Sequence, residues 1–280
     1  MMRGLPGKLH AQVSDFFGSL SESLPVKRRD QYWLRLPATG LCFLVFGVGT
    51  FVLGILVLPV IRLLSLERMR GHRVARAVVG GGLRGFVAFM RGVGVLRYEF
   101  IGREKLGRPG QLIVANHPTL IDVAFLLGFS PATSCIVKAG HLRNVITRGA
   151  VIAAGYIPNA PTEDMIYAAE AALNAGETLL MFPEGTRTVP GQPLSMQRGA
   201  ANVAVRAARV VTPVFITCDP PTLSKNLPWY RIPPRRPKFT LRVGDDIDLA
   251  AYRGSPVPIA SRRLHADLEA LFSGATLVRD

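Results

Sequence analysis

Cysteine is scarce and scattered. There are only three, Cys42, Cys135 and Cys218, and no two form a Cys-x-x-Cys pair. That spacing argues against a zinc site or a disulfide framework, and it fits a reduced, cytosolic compartment. Acidic residues are also few, with 19 Asp and Glu against 34 Lys and Arg. The resulting net charge of +15 implies an anionic partner, whether lipid headgroups, an acidic carrier protein or nucleic acid. The first thirty residues lack the apolar core and small-residue cleavage site of a secretory signal. The chain has no Gly-x-Ser-x-Gly elbow, which leaves no obvious serine nucleophile. It also shows no internal repeat, no low-complexity tract and no nucleic-acid-binding motif.

Apolar sequence is plentiful, at 49 % of the chain. Leu36 to Ile61 contains no charged residue and is bracketed by Arg35 and Arg62. At about 1.5 Å per residue this run is long enough to cross a hydrocarbon core of roughly 30 Å. Both flanks are basic, so charge does not orient it. A single span and a re-entrant hairpin turning near Gly47, Gly49 or Gly54 both remain open. Upstream, Leu9, Val13, Phe16, Phe17 and Leu20 predict one apolar side of a surface helix. Downstream, residues 66–94 predict a basic amphipathic helix on anionic lipid. Gly80, Gly82 and Gly85 mimic a dinucleotide-binding spacing, but they lie in a helical arginine pattern. Close helix packing is the better reading.

From residue 95 the pattern changes. Strands are predicted at 97–101, 111–115, 134–137, 178–182, 210–217 and 239–243. Helices are predicted near 120–128, 163–175, 198–208 and 258–272. Alternation of this kind predicts an α/β fold with a mixed, largely parallel sheet flanked by helices and an N-terminal membrane-associated segment. The expected organisation is a basic amphipathic segment over 1–35, a transmembrane or re-entrant segment over 36–62, a basic amphipathic helix over 63–94 and a catalytic domain over 95–280. Pro220–Pro237 reads as an irregular loop, because proline removes backbone donors.

Two motifs carry the chemistry. Asn116-His117-Pro118-Thr119-Leu120-Ile121-Asp122 follows an apolar strand. Histidine is suited to proton transfer near neutral pH, and a carboxylate on its other ring nitrogen fixes the tautomer. Residues five apart on one helix diverge by roughly 140°. The pair therefore requires His117 in the strand-to-helix turn and Asp122 in the first helical turn. A helix cap made of these two residues is the bland alternative. Phe182-Pro183-Glu184-Gly185-Thr186-Arg187 ends a second apolar strand. Gly185 permits an unusual backbone turn, and Arg187 offers a planar fork for phosphate or carboxylate. Glu184 either orients that arginine or meets a substrate hydroxyl, and Arg198 adds a second cation.

Together the motifs resemble the 1-acylglycerol-3-phosphate acyltransferase family, also called the lysophospholipid or glycerolipid acyltransferases. Asn116, His117 and Asp122 match its first block, and Phe182 through Arg187 its third. Val211-Thr212-Pro213-Val214-Phe215-Ile216 resembles its fourth, and Lys138 matches a lysine common after the next strand. The resemblance covers roughly residues 95–245. It implies that His117 deprotonates an acceptor hydroxyl, held in place by Asp122. The hydroxyl then attacks an acyl thioester of coenzyme A or acyl carrier protein. Asn116, Lys138, Glu184, Gly185, Thr186, Arg187 and Arg198 would be substrate-binding, with no metal and no cofactor beyond the thioester co-substrate. It also implies membrane lipid partners, no nucleic acid, and a place on the inner (cytoplasmic) membrane facing the cytosol.

The second block departs from the pattern. Gly155-Tyr156-Ile157-Pro158-Asn159-Ala160-Pro161 has Pro161 where the family has an arginine for acceptor phosphate. The chain also looks like a subgroup associated with aryl-polyene and other specialised lipids, where Lys138 and Trp229-Tyr230 before Arg235 and Arg236 have counterparts. A non-phosphate lipid acceptor is therefore the alternative expectation. A lipid or thioester hydrolase using the same pair on water is another. A non-catalytic basic membrane protein that binds nucleic acid is the remote one, because it leaves both motifs unexplained.

Overall fold

A computed structural model of the chain describes residues 31–64, 67–159, 162–189, 192 and 194–277. The amphipathic helix expected near Leu9–Leu20 and the Pro161 departure lie outside them. Leu36–Ile61 is part of one continuous helical rod. It comprises α1 (Tyr32–Val52), a π turn over Leu53–Val57 and α2 (Leu58–Leu64). The chain does not turn back at Gly47, Gly49 or Gly54, so the re-entrant hairpin is not formed there. Gly54 instead lies in the π turn and packs closely on a second element.

Next comes α3 (Arg68–Gly92), matching the helix expected over 66–94. The α/β region then runs through β1 (Arg97–Ile101), β2 (Gln111–Ala115), α4 (Asp122–Phe129), β3 (Ser134–Lys138), α5 (Val145–Ala153), β4 (Ile157–Asn159), α6 (Thr162–Asn174) and β5 (Leu179–Met181). It ends with α7 (Gly199–Ala207), β6 (Val210–Asp219), β7 (Lys238–Val243), α8 (Ala250–Arg253) and α9 (Val257–Leu277). The seven strands lie in the order β1-β7-β6-β2-β5-β3-β4. All neighbouring pairs are parallel except β6 and β7.

Alternation along the strands divides the core into two layers, because successive side chains point to opposite faces. Leu112 and Val114 of β2 face α6, α7 and α9, packing with Met165, Leu173, Val203, Leu268 and Phe272. Ile113 and Ala115 face α3 and α4, packing with Val87, Met90, Phe125 and Leu126. Both faces are thus covered, and β2 is buried at every position.

α3 is built into this second layer. Its Arg76 ion-pairs with Glu177 at 2.7 Å, both side chains almost completely buried, and donates to the Ala154 carbonyl at 2.7 Å. A Cβ on Gly80 would lie 2.8 Å from the Leu127 carbonyl oxygen, and one on Gly128 would lie 2.9 Å from the Arg84 nitrogen. Gly80 is therefore a close-packing residue between α3 and α4. Gly82 and Gly85 face open space. Exposed Arg70, Arg73, Arg84 and Arg91 make the other side basic.

The α1–α2 rod lies alongside the domain over most of its length. Cys42 is buried in the second layer, and Leu58 is buried with Ala75 of α3 and Ala150 of α5. A Cβ on Gly149 of α5 would sit 2.6 Å from the Gly54 carbonyl oxygen. Its other flank presents Leu44, Val48, Ile55, Leu56 and Leu63 to the exterior.

Candidate active site

β2, β3, β4, β5 and β6 run in one direction, so their carboxyl ends share one edge of the sheet. Ligand sites of open α/β sheets lie at this edge. Both motifs arrive there, one leaving β2 and the other leaving β5, on adjacent strands.

His117 lies in the turn between β2 and α4, and Asp122 is the first residue of α4. His117 Nδ1 is 2.9 Å from Asp122 Oδ2. The carboxylate also accepts from the Thr119 backbone N–H at 2.7 Å and from the Thr119 hydroxyl at 2.5 Å. Asp122 is fully buried. A carboxylate can only accept, so Nδ1 carries the proton in the neutral ring and Nε2 presents its lone pair. Phe182 stacks on the imidazole at 4.3 Å between ring centres. One face and one nitrogen of the ring are thus fixed, and Nε2 has no hydrogen bond among the described residues.

The third-block residues build the turn beside it. Glu184 is buried, and its Oε1 accepts from the His117 backbone N–H at 2.8 Å and from the Thr188 hydroxyl at 3.0 Å. Burial pushes this carboxyl above its ordinary range, and the two hydrogen bonds oppose the shift only in part. The Thr188 N–H returns a bond to the His117 carbonyl at 2.8 Å. Glu184 therefore braces the backbone of His117, and it makes no bond to Arg187. Gly185 has φ +64°, and Gly185 N–H closes a turn onto the Phe182 carbonyl.

The remaining predicted residues fall into three groups. Gly185 and Thr186 are exposed at the rim, as are Lys138 at the end of β3 and Arg198 before α7. Arg187 Nη1 donates to the carbonyls of Leu223 at 2.9 Å and Ser224 at 3.3 Å, in the loop after β6. Asn116 is engaged with the neighbouring strand β6. Its Nδ2 donates to the Ile216 carbonyl and its Oδ1 accepts the Ile216 N–H, at 2.8 and 2.7 Å. Both ends of its amide clamp the motif to β6. Thr119 and Thr188 were not foreseen. Thr119, three residues before Asp122, follows the Thr-x-x-acid pattern of a helix start, which was the available signal.

The arrangement gives a buried acid holding a partly exposed base at the carboxyl edge of the sheet. The Acyltransferase family model matches residues 97–217, the span that holds every one of these groups. This stretch matches an acyltransferase domain and is similar to 1-acylglycerol-3-phosphate acyltransferases. The chain is accordingly an O-acyltransferase. It is 27 % identical over 182 residues to the 1-acyl-sn-glycerol-3-phosphate acyltransferase of Pseudomonas aeruginosa, covering 63 % of this chain and 69 % of that one. It is 28 % identical over 108 residues to chloroplastic 1-acyl-sn-glycerol-3-phosphate acyltransferase LPAT1 of Arabidopsis thaliana, covering 37 % and 30 % respectively. The crystal structure of the 1-acyl-sn-glycerophosphate (LPA) acyltransferase PlsC from Thermotoga maritima superposes with a TM-score of 0.59. The superposition covers 85 % of this chain and 98 % of that one at 19 % identity, a likeness of fold.

Proposed function

We propose that this acyltransferase moves a fatty-acyl group from a thioester of coenzyme A or acyl carrier protein to a lysophospholipid hydroxyl, as in 1-acylglycerol-3-phosphate. The observation that carries the reading is the Nδ1–Asp122 bond, which leaves Nε2 as the base at the carboxyl edge of the sheet. Nε2 takes the hydroxyl proton, the oxygen attacks the thioester carbonyl, and the thiolate leaves with a proton returned from the imidazolium. Lys138 and Arg198, both exposed at the rim, are the groups we assign to the anionic headgroup or donor. The remaining guanidinium nitrogens of Arg187 would join them. The relatives' names support the acceptor class, and this chemistry calls for no metal or redox cofactor.

His117→Ala tests it. The variant should fold and stay attached to membranes, while transfer of labelled acyl groups to lysophosphatidic acid falls by about 10²–10⁴-fold. Near-normal turnover by a folded variant overturns the mechanism.

A second reading, a non-phosphate hydroxylated lipid acceptor, is favoured by one observation: Pro161 stands where the family has an arginine. A phosphate monoester carries nearly two charges and is bound by several donors. Offering lysophosphatidic acid, other lysolipids and hydroxy-acyl acceptors at equal concentration decides between them. A strong preference for lysophosphatidic acid eliminates the second reading.

We further propose attachment along one face of the membrane rather than a free-standing span, with the site on the cytosolic side. Only 17 % of the most apolar 18-residue window of the Tyr32–Ile61 helix is buried, so it is not an ordinary core helix. Yet it is seated on the domain from Arg35 to Leu58, over about 35 Å. A helix held along that length cannot cross a roughly 30 Å core without drawing the domain in with it.

A further inference from the structure

The proline-rich segment 220–237, between β6 and β7, touches both motifs of the site and helix α1. At one end the Leu223 carbonyl accepts from the Leu120 N–H at 3.1 Å and from Arg187 Nη1 at 2.9 Å. Leu120 lies between His117 and Asp122, and Arg187 belongs to the other motif. One carbonyl thus joins both. At the other end the segment meets α1. Arg35 donates to the carbonyls of Pro233 at 2.9 Å, Pro234 at 2.7 Å and Arg235 at 3.3 Å, and it is only 3 % exposed. The Trp229 ring packs on Phe43 at 5.3 Å and lies over Gly40.

The chemistry of the segment explains why an arginine stands there. Prolines donate no backbone hydrogen bond, so a run rich in them cannot pair as a strand and leaves carbonyls to be satisfied. A guanidinium fork reaches several at once, which an ammonium on a flexible stem does less well. Burying it so completely is costly unless each contact is made, so the strap and the helix are held in one geometry.

We propose that Arg35 is a positioning residue for acyl transfer. Through the 220–237 strap it keeps the Leu223 carbonyl against Leu120 and Arg187, so that an acceptor hydroxyl rather than water reaches the thioester. The proposal rests on His117 acting as the base. When the strap loosens, water attacks the acyl carbon. The carbon–sulfur bond breaks, a carbon–oxygen bond forms, and the water proton passes to the departing thiolate, giving free fatty acid and thiol.

The experiment uses the full-length protein in phospholipid vesicles with a labelled acyl-coenzyme A thioester and lysophosphatidic acid. It measures acylated lipid and free fatty acid together. Arg35→Ala should lower the ratio of transfer to hydrolysis by about tenfold and raise the acceptor KM. Arg35→Lys should recover part of the ratio. Loss of packing alone would lower both products in step with the folded fraction read by thermal melting. An unchanged ratio, at full or reduced total activity, overturns the proposal. Should Arg35→Ala fail to fold, Trp229→Ala loosens the same strap from its half-exposed side and carries the same expectation, and an unchanged ratio there overturns it equally. Failure of the underlying base assignment would show differently, as His117→Ala retaining both reactions.

Discussion

Glu184 shows how a single side chain can brace the backbone of a neighbouring motif. Its Oε1 takes both bonds, from the His117 N–H and the Thr188 hydroxyl, and burial raises its pKa. Glutamine can accept the same two bonds through its own oxygen and carries no charge. The sign follows from linkage. A carboxyl whose folded pKa lies above its unfolded value binds more protons when folded, so its favourable contribution is lost as pH rises through the folded pKa. Glu184→Gln lacks that loss. Its melting temperature relative to the parent should therefore be highest at neutral and alkaline pH, and the difference should shrink as pH falls through the carboxylate range. A difference that does not vary with pH would mean the carboxylate is better solvated than its burial indicates. The His117–Asp122 pairing was legible in the sequence because turn geometry and residue chemistry pointed to the same pair. The partner of Glu184 was not legible, because the His117 backbone lies 67 residues away and only the adjacency of β2 and β5 brings it close. Asn116 was hidden for the same reason, its partner being Ile216 on β6.

At the scale of elements, apolar strands as short as β5 and the periodic helices could be read, whereas α5 and β4 could not. α5 was missed. Its sequence Val145–Ala153 mixes β-branched residues with Gly149, a poor helix former on propensity alone. Packing against the α1–α2 rod decides it, helped by Asn144, whose side chain caps the Ile146 N–H. β4 was missed because it contains Pro158, which a sheet tolerates at an edge. The helix over 66–94 was found, but its buried face was not: Arg76 reads as one more surface cation until Glu177 is placed opposite it. Removing one partner of such a pair leaves a buried charge unmatched. Arg76→Ala should cost about 3–5 kcal/mol in chemical denaturation, and Arg76→Ala with Glu177→Ala should recover a large part of it. If the double variant is no better than the single, the bonds of Arg76 to the Ala154 and Gly155 carbonyls matter more than the ion pair.

For the whole molecule, the +15 charge and the apolar α1–α2 rod are the two features through which it can meet its lipid substrate. Deleting the rod is a poor test. Arg35, Cys42, Gly54 and Leu58 all contact the domain, so a truncation would uncover one edge of the second core layer and release the strap at once. The outward flank can be altered alone. Leu44 is 62 % exposed and Leu56 is 61 % exposed, and neither belongs to a core cluster. A charged carboxylate at the centre of an apolar helix costs about 3 kcal/mol in a membrane, and about 1.4 kcal/mol is tenfold in partitioning. Leu44→Asp with Leu56→Asp should therefore lower the vesicle-bound fraction in flotation by more than about tenfold. The melting temperature in detergent and the turnover of a water-dispersed acceptor should stay near the parent's. The attachment that survives should be salt-sensitive, carried by the exposed arginines of α3 on anionic lipid, and 1 M salt should release it. Flotation unchanged by the two substitutions would show that this flank does not face lipid. Lipid contact would then have to lie elsewhere on the molecule, with the rod serving only to seat the strap and the close-packed α5.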